Sequence, residues 1–325
     1  MHYTESTQRL CVCLTPLHVL IAARLSERTG MRFDVGVYLA YQHDEKQNHY
    51  FHRMSAFCTR TQWITPPKEE YPRGFAKYFA LYKRRKQHLR KFLELGRFSY
   101  ALTSCSINHY LWCILEACKP ARLETYDDGL LNIASTPAQH YQPTPWREKL
   151  FLRLCGIALN KDMLIKKSAQ HYTIYRGTNL FSNTQQIDLC PPPIGQAKYL
   201  DQPAEAVEHI FLCPAPEAPA HVWRMVEQYL EDHPSIAHLP HPRGMKPIHI
   251  ASRPLNTQLI IEDHVLNQLS KKRMRFKLIG TESSALINLA SIPGVETWSV
   301  LPNIPEHAES RALMAQHGVR LLHQS

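Results

Sequence analysis

Three groups of side chains in this 325-residue chain have the types needed to move a group between oxygens. They are Asp127-Asp128 ahead of Gly129, His241 between Pro240 and Pro242, and the hydroxyl pair Ser283-Ser284. A carboxylate can take the proton of an acceptor hydroxyl, while an imidazole and two hydroxyls can grip and neutralise a departing phosphate. That division of labour suits sugar transfer from an activated nucleotide.

Each group also has a plain structural reading. Asp-Asp-Gly can be an Asx-turn that ends a strand, with Gly129 at positive φ. His241 can be a loop histidine satisfied by backbone carbonyls. Ser283 and Ser284, opening a helix, can simply cap it, although a phosphate fits the site that a cap prepares. Glu262 and Asp263 complement the start of another helix, or hold ribose hydroxyls as acidic residues do in nucleotide-binding folds.

The elements that must position these residues follow from apolar runs and breakers. Residues 10–14, 33–39, 98–103 and 122–126 read as short buried strands, and 19–25 and 107–117 as helices. Thr15-Pro16 makes a good helix start, since Thr caps and Pro fits the first turn. A proline cluster, Pro191-Pro192-Pro193 with Pro203, reads as a linker. The pattern then restarts, with strands at 210–213, 236–239, 276–279 and 296–300 and helices at 220–230, 260–269 and 283–290. This alternation predicts an α/β protein of two Rossmann-like domains facing a cleft, with ligands at the carboxyl ends of the strands. The expected division is 1–195 for the acceptor domain, 205–304 for the nucleotide-sugar domain, and 305–325 as a helix packing back toward the first.

The formal charge of +10 implies an anionic partner. Much of it lies in the basic run 83–91, flanked by Tyr78, Phe79, Tyr82 and Phe92, which is either a solvated helix face or a patch for anionic lipid or an acidic glycolipid. Nucleic-acid motifs are lacking, so no nucleic-acid partner is expected. Nine cysteines without C-x-x-C spacing and nineteen scattered histidines without H-E-x-x-H give no disulfide framework and no metal motif. No apolar run reaches spanning length, so a cytoplasmic protein is expected, at most peripheral on the inner membrane.

In order along the chain, Cys13-Leu14-Thr15-Pro16-Leu17, Tyr126-Asp127-Asp128-Gly129 with Asn132, His171-Tyr172-Thr173-Ile174-Tyr175-Arg176-Gly177, Pro240-His241-Pro242-Arg243, Ile261-Glu262-Asp263 and Ser283-Ser284-Ala285 resemble the bacterial lipooligosaccharide sialyltransferases of glycosyltransferase family 52. The resemblance implies a GT-B fold and a CMP-sialic acid donor with no other cofactor. It also implies inverting, metal-independent transfer to a terminal galactoside of a glycolipid, and a homodimer. By residue, it implies that His241 assists departure of CMP, with Pro242, Glu262, Ser283 and Ser284 binding the nucleotide. Asp127, Thr15 and His18 fall on the acceptor side. Close relatives carry an aspartate base on the loop after the strand at 210–213, where this chain reads Pro214-Ala215-Pro216-Glu217. The base is therefore Glu217 or, as in more distant bacterial sialyltransferases, Asp128. Two other readings stay open: the same fold with another donor such as a UDP-hexose, and a non-enzymatic basic protein that binds anionic lipid.

Overall fold

The structure is a computed structural model that describes residues 8–66, 98–129, 133, 144–154, 156–177, 179–190, 206–242, 252–271 and 274–322. The basic run 83–91 with its aromatics, Asn132, the proline linker and Arg243 lie outside the described residues. The chain divides into two units, Met1–Leu189 and Cys190–Ser325.

The first unit is built on a seven-stranded sheet in the order β3-β2-β1-β4-β5-β6-β7. Its strands are β1 (Arg9–Cys13), β2 (Phe33–Leu39), β3 (Cys58–Ile64), β4 (Tyr100–Ser104), β5 (Arg122–Tyr126), β6 (Ser168–Thr173) and β7 (Thr184–Gln186). Every pairing is parallel. Helices cover it: α1 (Pro16–Thr29), α2 (Glu45–Arg53), α3 (His109–Cys118), α4 (Trp146–Leu154) and α5 (Lys161–Lys167). Central strands are buried on both faces, so they read as unbroken apolar runs such as Leu10-Cys11-Val12-Cys13. The core joins Leu10, Val12 and Val37 to Leu111 and Ile114 of α3, and each such side chain contributes about 1.5–3 kcal/mol by burial. Chain direction across the sheet reverses between β1 and β4, which is where this strand order opens a crevice.

The second unit carries a five-stranded parallel sheet in the order β12-β11-β10-β8-β9. Its strands are β8 (Ala206–Leu212), β9 (Ala237–Leu239), β10 (Met274–Gly280), β11 (Val295–Ser299) and β12 (Arg320–Leu321). Its helices are α6 (Ala220–Asp232), α7 (Ile261–Lys271), α8 (Ser284–Leu289) and α9 (Ala308–Gln316). Trp223, Val226 and Leu230 of α6 pack on Phe211 and Ile279. The crevice of this order falls between β8 and β10.

The tail expected to reach back to the first domain is, in its described part, woven into the second unit. Arg311 of α9 donates to the Leu301 carbonyl, and β12 extends the sheet beyond β11. Among the described residues no helix is long and apolar enough to cross a membrane.

Candidate functional site

Two clusters collect at strand carboxyl ends, one in each unit. In the first, Asp127 and Asp128 leave β5 on the turn where Gly129 takes φ of 69°, the left-handed value that the Asp-Asp-Gly sequence predicts. The two carboxylates face different surroundings. Asp127 is fully buried: Oδ1 accepts from His171 Nε2 at 3.0 Å and Oδ2 from the Ile174 N–H at 2.6 Å. His171 lies flat on Phe181, ring centroids 3.8 Å apart. Its Nδ1 is 2.8 Å from Thr125 Oγ1, which is 2.7 Å from Ser168 Oγ, and Ser168 donates to the Gln170 carbonyl. The two hydroxyls thus link the His171 ring to the backbone of β6. Through His171 and the Ile174 N–H, Asp127 ties the β5 turn to β6. Asp127, expected on the acceptor side, is thus fully enclosed in this structure.

Asp128 turns the other way, its side chain 15% exposed. Oδ1 accepts from His18 Nε2 at 2.9 Å, while His18 Nδ1 accepts from the Leu14 N–H at 3.1 Å, so the imidazole is held in the Nε2–H tautomer. Burial pushes the Asp128 carboxyl up. The hydrogen bonds from His18 and Ser106 and the Lys161 ammonium outweigh it and hold the group below the ordinary carboxylate range. Its proton-accepting form is thus the resting form. His18, expected on the acceptor side, is 1% exposed and uses both nitrogens inside the protein, where it orients Asp128. Thr15 stays at the surface as the α1 cap, accepting from the His18 N–H at 3.3 Å. Ser106 and Lys161 were missed by sequence reading. Ser106 follows β4 with no motif around it, and Lys161 reads as an ordinary first-turn residue after its cap Asn160.

In the second unit one pocket of about 570 Å³ lies at the ends of β8, β9 and β10. Glu217 enters from the loop after β8, His241 from that after β9, and Thr281, Glu282, Ser283 and Ser284 from that after β10. Glu306 and His307 close the wall opposite. Ser283 is the N-cap residue of α8, yet its hydroxyl makes no capping bond. With α8 only six residues long, its dipole is weak, and the donors this turn offers are chiefly side chains. Pro242 is exposed and is not part of the pocket lining. Nor is Glu262, expected at the nucleoside: it is 6% exposed and accepts from Asn288 Nδ2 at 2.8 Å, fastening α7 to α8.

Comparison with known proteins supplies the context. The family described as Glycosyltransferase family 52 matches residues 32–303. An N-acetyllactosaminide alpha-2,3-sialyltransferase of Haemophilus influenzae is 27% identical over 91% of this chain and 93% of its own. A CMP-N-acetylneuraminate:beta-galactoside alpha-2,3-sialyltransferase of Pasteurella multocida is 26% identical over 86% of each. Among solved structures, the glycotransferase of kitacinnamycin superposes with a TM-score of 0.52 at 12% identity, covering 98% of this chain and 87% of that one. A UDP-GlcNAc 2-epimerase from Neisseria meningitidis gives 0.51 at 12%, with the same coverage. At such identity these two speak for the fold alone, and the GT-B type expected from the sequence is the fold found.

Proposed function

Because this chain belongs to glycosyltransferase family 52, we propose that it transfers sialic acid, with inversion, from CMP-sialic acid to a terminal β-galactoside of a lipooligosaccharide-type acceptor. The observation that carries the reading is the single pocket into which His241, Ser283 and Ser284, far apart in sequence, converge. In that pocket His241 and the serine hydroxyls donate to the phosphate of CMP. Negative charge builds on this phosphate as its bond to the anomeric carbon breaks. The acceptor hydroxyl attacks that carbon and gives its proton to a carboxylate.

We assign that carboxylate as Asp128 and not Glu217. Asp128 is fixed by His18 and kept ionised, whereas Glu217 is an exposed side chain on the donor wall. Sialylation of a galactoside by the purified chain tests the proposal. His241→Ala should lower turnover by about 10²–10³-fold while the melting temperature holds. Undiminished turnover in that variant, or stabilisation by UDP in preference to CMP, would overturn it.

A further inference from the structure

Beside the donor pocket stands a side-chain cluster that the transfer reaction does not use. His221, in the first turn of α6, and His307, at the end of the turn Pro305–His307, bring their Nε2 atoms within 3.4 Å. A carboxylate oxygen of the exposed Glu306 joins them, the three ligand atoms lying within 4.8 Å of one another. We propose that His221, His307 and Glu306 bind a divalent transition-metal ion of the Zn²⁺ class, clamping α6 to the 305–307 turn on the rim of the pocket.

The distance favours a metal over a shared proton. Hydrogen bonds of ring N–H groups centre near 2.9–3.0 Å, so 3.4 Å is long for one. Two nitrogens each about 2.0–2.1 Å from a tetrahedral Zn²⁺ stand about 3.3–3.4 Å apart, which matches. The ring is also set from behind: Nδ1 of His307, itself 6% exposed, faces Glu282 Oε1 at 3.3 Å. A carboxylate behind a ligating histidine fixes its tautomer and raises its basicity. Charge points the same way. Among its described lining residues the pocket has the carboxylates Glu217, Glu282 and Glu306 and neither lysine nor arginine. If an anionic donor binds there, as the proposed function requires, a divalent cation on the wall offsets that repulsion. The metal site itself stands without that reading. Sequence spacing conceals it, because only the fold brings His221 to His307.

Co²⁺ titration of the chelator-treated full chain, read by visible absorption, tests the site directly. The expected result is one equivalent giving the intense bands of tetrahedral coordination, displaced by Zn²⁺. His221→Gln and His307→Gln should each weaken binding by more than about 10-fold, and Glu282→Gln by about 10-fold through the lost support of His307. A weak octahedral spectrum, no binding, or an isotherm unchanged in His221→Gln would overturn the proposal. The wild-type spectrum needs no variant, so a folding defect in His307→Gln would not obscure the answer. Because no nucleotide is present, failure of the donor assignment leaves this result readable.

Discussion

The adjacent carboxylates of the Asp-Asp-Gly turn should respond in opposite ways to mutation. Asp127→Ala deletes an acceptor that holds His171 Nε2 at 3.0 Å and the Ile174 N–H at 2.6 Å, both away from water. Removing it leaves two buried donors without their acceptor, at about 1–3 kcal/mol each. For a body the size of the first unit, Met1–Leu189, each kcal/mol lowers the melting temperature by about 2–4 °C. The transition of that unit should therefore fall by about 4–24 °C. Asp128→Asn keeps an oxygen for His18 and its shape, so melting should stay within about 2 °C. Its turnover should drop by about 10²–10⁴-fold, the range for loss of a general base. Differential scanning calorimetry and a sialyl-transfer assay on both variants read the contrast. Wild-type melting of Asp127→Ala, or wild-type turnover of Asp128→Asn, would refute the division of roles.

Two further outcomes follow from the second unit. Ser283→Ala and Ser284→Ala should each raise the donor KM by about 3–10-fold, the worth of one hydrogen bond, and the double variant should exceed either; a KM unchanged in all three would remove the hydroxyls from the donor site. Burial lowers His238, His264 and His317 below the usual 6.5, so between their folded values and 6.5 the unfolded chain binds more protons. Stability contributed this way is complete above pH 6.5 and declines as pH falls beneath it. Melting of the second unit at pH 5.5 should come below that at pH 7.5, and an identical pair of curves would contradict the shifts.

What the sequence made legible was set by burial. Strands in the middle of the sheets, such as Arg9–Cys13 and Phe33–Leu39, are recognisable from residue type because packing on both faces demands apolar side chains. Edge strands escape notice: β3 reads Cys-Thr-Arg-Thr-Gln-Trp-Ile, and all three residues of β7 are exposed. Helix α2 carries a single buried residue, Tyr50, and so lacks an apolar stripe to find. The convergence of His241, Ser283 and Ser284 on one pocket was foreseeable because their loops each follow a buried strand. Which of two neighbouring aspartates faces outward was not, since that depends on His18 and His171 arriving from elsewhere in the chain. Glu262 shows the same limit, as its partner Asn288 sits on another helix.

The proposed function requires the nucleotide phosphate to settle between His241 and the serines of the α8 turn. A crystal structure of the chain with CMP measures this directly. One phosphate oxygen should lie within about 3.2 Å of a His241 ring nitrogen and another within the same reach of Ser283 or Ser284. CMP bound with its phosphate beyond hydrogen-bond reach of all three residues would contradict it.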